Sequence, residues 1–212
     1  MFRGVLHVHS TYSDGEFSLP ELRETLLRDG CTFACVTDHA EWFTDSSFSG
    51  FTGHRLDLHQ ANCSVSRAGV LRGLHFAQLP PSQAKYVTCL HGSVFDVVVD
   101  IRVGSPTFGT WDAVVLDDRD RRSVYISEGL GHAFLALQDD STVMYLCSAG
   151  YAPGREHTIN ALDPAIGIVW PDVDELVLSD RDREAPSLAE VQAAGLLPTW
   201  DEARAFIDRL RR

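Results

Sequence analysis

Lysine is almost absent from this chain: Lys85 stands alone beside seventeen arginines. A genome that favours arginine explains the bias. A position that needs a compact ammonium rather than a planar fork explains the exception. Basic charge is scarce altogether, with 18 Lys and Arg against 30 Asp and Glu and a net charge of −12. No basic surface is left to follow a phosphate backbone, which excludes nucleic acid as a partner. Long apolar runs are missing too. None approaches the ~18 residues of a membrane span, and no apolar targeting segment opens the chain. The expectation is a cytoplasmic protein with no membrane partner. Cys31, Cys35, Cys63, Cys89 and Cys147 are odd in number and form no C-x-x-C pair. That speaks against a disulfide scaffold or zinc ribbon and for small buried thiols.

What is present amounts to 212 residues, 44% hydrophobic and 23% charged, enough for one domain or one domain with an appendage. Two textures meet near Phe51. In the first, Val5-Leu6-His7-Val8-His9 is a β-like run and Ser13-Asp14-Gly15 a turn. Ser18 caps a helix that has Pro20 in its first turn, Glu21 three residues after the cap, and an apolar stripe of Leu19, Leu22, Leu26 and Leu27. Asp29-Gly30 stops it, and Phe33 to Val36 is a second short strand. This is a βαβ unit.

The second texture, from Val70 to Ser148, has many short strands separated by Gly, Pro and Asp turns. Phe95, Val97, Val99 and Ile101 alternate with Asp96, Val98, Asp100 and Arg102, predicting one apolar and one mostly charged face. Further strands are expected at 111–116, 123–126, 133–137 and 142–147, and helices at 187–194 and 201–211. The pattern predicts a mainly β protein, an antiparallel sandwich or jelly roll with a C-terminal helical tail and a short N-terminal βαβ appendage. On a strand Arg72 and His75 face opposite ways unless a bulge at Gly73 re-aims one. Trp111 and Trp170 read as core, the Asp117-Asp118 and Asp139-Asp140 pairs as turn residues, and Asp96 as either a solvated carboxylate or the support of a site.

The stretches GVLRGLHF (69–76), QAKYV (83–87), FDVVVDIRVGSPTFG (95–109), SEGLGHAF (127–134), YAP (151–153), DPAIGIVWP (163–171) and LSDRD (178–182) together resemble the dTDP-4-dehydrorhamnose 3,5-epimerase family of cupin-like jelly rolls. The resemblance runs from about residue 54 to about 197. It divides the chain into residues 1–52 and an epimerase domain at 53–212. It implies a nucleotide-sugar substrate, a dTDP-4-keto-6-deoxyhexose, in deoxysugar biosynthesis for rhamnose or antibiotic sugars, with no metal or organic cofactor and a homodimer as the working form. SPTFGTWD and GHAFLALQDD look closer to members serving antibiotic sugars, some of which invert one centre only.

Epimerising a carbon beside a ketone needs a base on one face, an acid on the other and a stabiliser for the enolate oxygen. A histidine near its ordinary pKa suits the first task at neutral pH. The resemblance gives that role to His75, with Asp163 fixing its tautomer. It implies Tyr145 as the acid and Lys85 as the cation at the enolate. Arg72 and His132 become substrate contacts, Gln60, Asn62 and Glu156 bind nucleotide or sugar, and Tyr151 stacks on the base.

The N-terminal part carries His7-x-His9, Ser13-Asp14-Gly15 and Thr37-Asp38-His39. These resemble the opening of the polymerase and histidinol phosphatase family of metal-dependent phosphoesterases, in which such histidines are metal ligands. Histidines two apart on a strand share a face, and imidazole suits zinc, manganese or iron. His7, His9 and His39 are therefore candidate ligands, and metal-dependent phosphoester hydrolysis is the alternative activity. A catalytically inactive cupin-like binding protein is the other. The D-x-R-G-x-F-x-E pattern with which the epimerases open has no counterpart before Gln60.

Overall fold

The structure, a computed structural model, describes residues 4–8, 21, 24, 25, 28, 33–36, 58–80 and 82–210. Strand β1 (Gly4–Val8) pairs in parallel with β2 (Phe33–Val36), with helical backbone at Glu21, Glu24, Thr25 and Arg28 between them. The order strand, helix, parallel strand is the one the sequence predicts.

Nine strands follow: β3 (Gln60–Ser66), β4 (Leu71–Ala77), β5 (Lys85–His91), β6 (Ser93–Asp100), β7 (Trp111–Asp117), β8 (Ser123–Ile126), β9 (Leu130–Ala136), β10 (Ser141–Cys147) and β11 (Glu156–Thr158). They form two antiparallel sheets, ordered β3-β10-β5-β8 and β11-β4-β9-β6-β7. The architecture is the jelly-roll sandwich expected. Strand β3, which carries Gln60 and Asn62, lies ahead of the strand-rich stretch that the sequence marks from Val70.

Two apolar layers hold the sandwich together. Between the sheets, Val87 and Cys89 of β5, Val124 and Ile126 of β8 and Val143 of β10 pack on Val94, Val114, Leu116, Phe134 and Ala136 of the larger sheet. On that sheet's other side, Leu71, Val97, Val99 and Leu135 are covered by Leu188, Val191 and Leu197 of the C-terminal tail, with Trp111 and Trp170 partly buried against them. The tail's helices are α1 (Asp180–Arg183), α2 (Leu188–Ala193) and α3 (Trp200–Leu210).

Because β6 is covered on both sides, its mostly charged face is not solvated, which settles the two readings of Asp96 against a solvated carboxylate. Asp96 and Asp100 are 1% and 0% exposed. Asp100 ends the strand and accepts from Arg102 Nε and Nη2 and from the hydroxyls of Ser105 and Thr107, while Arg102 lies 4.5 Å from the Trp200 ring centroid. A buried carboxylate satisfied in this way clips α3 to the β6–β7 turn. The Asp117 side chain accepts from the backbone of Arg119 and Asp120, as a turn residue does.

Gly73 is where the bulge falls. Arg72 lies opposite Phe134 and His75 opposite His132, so two residues of β4, Gly73 and Leu74, stand against one of β9, Ala133. Gly73 has φ +114°, and a Cβ there would stand 2.6 Å from the His132 carbonyl oxygen and 2.8 Å from Ala133 Cα. Only glycine fits.

Candidate active site

Strand register decides which side chains meet. His75, His132 and Val98 stand in one row across β4, β9 and β6, and Val98 packs into the layer between the sheets. His75 and His132 therefore face the interior. Thr158 is directly opposite His75 and Glu156 opposite Ala77, so both share that face. On the smaller sheet Tyr145 pairs with Val87, and Cys147 with Lys85. Val87 belongs to the inter-sheet core, which turns Lys85, Tyr145 and Cys147 inward as well. Asn62 and Gln60 are opposite Tyr145 and Cys147 and complete that wall. Polar side chains of the two sheets thus face one another where the apolar layer ends.

The best-held pair is His75 with Asp182. Nε2 of His75 lies 2.7 Å from Asp182 Oδ1, with the side chains 39% and 6% exposed. An Nε2–H donating to the carboxylate leaves the lone pair on Nδ1, which has no partner among the described residues. The partner is not Asp163. That carboxylate accepts from Leu188 N at 2.7 Å and Ala165 N at 2.9 Å, so it serves the start of α2 and the 163–167 turn. Asp163 spends one oxygen on its own turn and the other on the start of α2, whereas Asp182 comes from α1. The signal for Asp182 in the sequence is the Ser-x-x-Asp spacing of LSDRD, a helix start that sets a carboxylate in the first turn.

A second pair sits beside the first. His132 Nε2 lies 2.8 Å from Asp96 Oδ2, both side chains buried, and Asp96 Oδ1 has no partner among the described residues. Lys85 is the cation of the site. Burial lowers its pKa, against the opposing pull of Cys147, Glu156 and Asp96. Burial, with Cys147 adding, raises Tyr145 above the usual tyrosine value while the Arg72 charge pulls the other way, so its hydroxyl keeps its proton at neutral pH.

The remaining residues divide. Gln60 Oε1 accepts from Tyr151 N at 2.7 Å, and its amide donates to Asn62 Oδ1, whose own amide meets Cys147 Sγ. Both amides are largely engaged in fixing the 149–155 loop and the thiol. Glu156 accepts from Ala152 N at 3.3 Å in the same loop. Tyr151 is 59% exposed, with its ring open to a ligand. Arg72 is exposed and its guanidinium folds onto Ser66 Oγ and the Val65 carbonyl. Cys147, 1% exposed, is the small buried thiol expected and also lines the wall of the site. His7 lies on β1, where only the backbone is described, and His9 and His39 lie outside the described residues. Among the described residues no three His, Cys, Asp or Glu side chains are placed to hold a metal ion.

Asp182 makes the pair sensitive to acid. Its burial tends to raise its pKa, but the bonds from His75, Ser179 and the Gly73 N–H outweigh this and hold it below the ordinary value. A depressed folded pKa gives stability that is complete above the unfolded value, about 3.9 for aspartate, and is lost as pH falls through the folded value. Asp182→Asn is expected to lower the thermal midpoint at pH 7. The gap to wild type should close on acidification below about pH 4; a constant gap down to pH 2 speaks against the assignment. Asp100, also held below its ordinary value by Arg102, Ser105 and Thr107 despite its burial, titrates in both proteins and cancels.

A family profile described as dTDP-4-dehydrorhamnose 3,5-epimerase matches residues 37–190. Over 172 residues, covering 81% of this chain and 85% of the relative, the chain is 74% identical to a dTDP-4-dehydrorhamnose 3,5-epimerase of Mycolicibacterium smegmatis. An epimerase structure from Mycobacterium tuberculosis superposes with TM-score 0.78 at 68% identity, covering 81% of this chain and 86% of that one. A 3'-monoepimerase of Streptomyces bikiniensis, solved in complex with dTDP-quinovose, gives TM-score 0.78 at 49% identity over 84% of this chain and 91% of that one.

Proposed function

The chain belongs to the dTDP-4-dehydrorhamnose 3,5-epimerase family, and from that membership we propose how its own residues carry the reaction. It is an isomerase that epimerises a dTDP-4-keto-6-deoxyhexose by removing a proton beside the ketone and returning one. We assign both C3 and C5 as centres. The relatives at 74% and 68% identity are a 3,5-epimerase and an epimerase of the rhamnose type, whereas the monoepimerase shares 49%.

His75 Nδ1 takes the proton, and the electron pair of the broken C–H bond moves into the enolate. The ammonium of Lys85 stabilises the charge on the C4 oxygen, strongly because the site is enclosed. Tyr145 returns a proton from the other side. The observation that carries this reading is the disposition of these groups: His75 projects from the five-stranded sheet, Lys85 and Tyr145 from the four-stranded sheet facing it. Inversion requires an acid and a base on opposite faces of one carbon. Asp182 holds the base, and the exposed ring of Tyr151 stacks on the thymine. Gln60, Asn62, Glu156, Arg72 and His132 shape the surroundings of sugar and diphosphate. No metal or organic cofactor takes part.

Deuterium wash-in tests the assignment. Incubated in D₂O with dTDP-4-keto-6-deoxyglucose and no added metal, the protein should exchange the C3 and C5 protons, seen as loss of their NMR signals. Exchange at C3 alone makes this a single-centre enzyme. No exchange from folded protein removes the proposal.

The working form is a homodimer. The outer face of the smaller sheet carries Ala61, Cys63 and Val65 of β3, Met144 and Leu146 of β10, and Tyr86 and Leu90 of β5 in adjacent positions, with Val65 58% and Leu90 52% exposed. An apolar face of this kind supports contact with a second copy. Sedimentation equilibrium at micromolar concentration should give twice 23.5 kDa; a monomer mass argues against the dimer. No helix among the described residues is long and apolar enough to cross a membrane; a nucleotide-sugar substrate supports a cytoplasmic site of action.

A further inference from the structure

All three helices of the tail open on the same spacing, a hydroxyl residue followed three positions later by a carboxylate: Ser179 and Asp182, Ser187 and Glu190, Thr199 and Glu202. In the second and third the box is closed. Glu190 Oε2 takes the Ser187 backbone N–H at 2.8 Å and Glu202 Oε2 takes that of Thr199 at 3.0 Å, the reciprocal cap that steadies a helix start. The first helix differs. Its acid is the shorter aspartate, and Asp182 Oδ1 is turned to His75 at 2.7 Å. The Ser179 hydroxyl still makes both of its bonds, accepting from Asp182 N at 3.1 Å and donating to Asp182 Oδ2 at 2.9 Å.

We propose that Ser179 is the positioning residue of the His75–Asp182 pair, a helix cap diverted so that its hydroxyl aims the carboxylate at the base. One serine grips Asp182 by its backbone and by one carboxylate oxygen, which fixes the side-chain torsion and leaves the other oxygen directed at the imidazole. Nothing else on α1 can do this, because Asp180 is exposed and Arg181 and Arg183 bind the carbonyls of Glu156 and Leu178. A helix of four residues is also too short to hold such geometry through its own backbone bonds. The assignment rests on reading His75 as the base, since a carboxylate that merely ties the tail down has no need of one orientation.

Three variants separate aiming from capping. Glycine is nearly as good a cap as serine whereas alanine is not, so Ser179→Gly removes the hydroxyl and keeps the helix start. Its thermal midpoint should fall less than that of Ser179→Ala while kcat falls about 10- to 100-fold, with KM unchanged. Ser179→Ala should lose both stability and kcat. Ser179→Thr, which keeps the hydroxyl, should restore kcat to within about 3-fold. A readout independent of turnover is the downfield, slowly exchanging Nε2–H signal of His75, expected in wild type and Ser179→Thr and lost in Ser179→Gly. If that signal survives in Ser179→Gly, or its kcat matches wild type while Ser179→Ala loses only stability, Ser179 is a cap and the proposal falls. If the signal is lost but wash-in continues at the wild-type rate, Ser179 aims the pair and the reading of His75 as base is what fails.

Discussion

Replacing His75 by alanine is expected to reduce deuterium wash-in at C3 and C5 by about 10³-fold, within the range that a positioned acid or base contributes. No neighbour can take over. His132 shares the wall, but its side chain is 8% exposed against 39% for His75, and it stands one strand further from β11 and the loop that carries Tyr151. The fold should survive. His75 is half-exposed, and the carboxylate it leaves keeps its bonds from Ser179 and the Gly73 N–H; loss of one charge-assisted bond costs ~1.5–3 kcal/mol. Binding of dTDP, measured by calorimetry, should remain near wild type, because the nucleotide is held elsewhere. A variant that binds dTDP and still exchanges at the wild-type rate would mean that His75 is structural. Unaltered binding with no exchange in either protein would leave an inactive cupin-like binder.

Substituting Lys85 by methionine should lower kcat about 10²–10³-fold, the usual cost of one donor at a developing oxyanion. Wash-in should fall in step with inversion. Without the cation the enolate itself is too costly, so neither removal nor return of the proton proceeds. Burial has already made this ammonium a reluctant charge, and an enolate oxygen is the partner that restores what water no longer supplies. Lys85→Arg should not rescue the activity. A guanidinium is longer and planar and spreads its charge over three nitrogens. A chain with seventeen arginines keeps its one lysine here. Wild-type kcat in Lys85→Arg would show that charge alone, without a compact donor, suffices.

Much of the sandwich was legible in the residues because short strands with period-two patterning and Gly or Asp turns mark themselves locally. Ser123 to Ile126 is found where it was expected, and the cap at Ser187 starts a helix as its spacing predicts. The bulge at Gly73 could be anticipated because a glycine between two functional residues on one strand is an economical way to turn both to one side. The faces of β6 could not be sorted. Alternation separates two sides of a strand, but it cannot tell solvent from a polar interior, and Asp96 and Asp100 lie inside. The partner of His75 was hidden for a related reason. Asp163 and Asp182 both sit at helix starts or turns with capping patterns around them. Which of them divides its oxygens between its own turn and the start of α2, and which meets a strand 107 residues earlier, is decided by tertiary packing that no local window contains.

That separation has a consequence during synthesis. The last strand of the sandwich ends at Thr158, and about two dozen residues must still be translated before Asp182 exists, roughly one to five seconds at ~5–20 residues per second. Over that interval the chain carries the histidine without the carboxylate that pairs with it. On the proposed reading, full turnover therefore waits on the tail, the last part of the protein to be made.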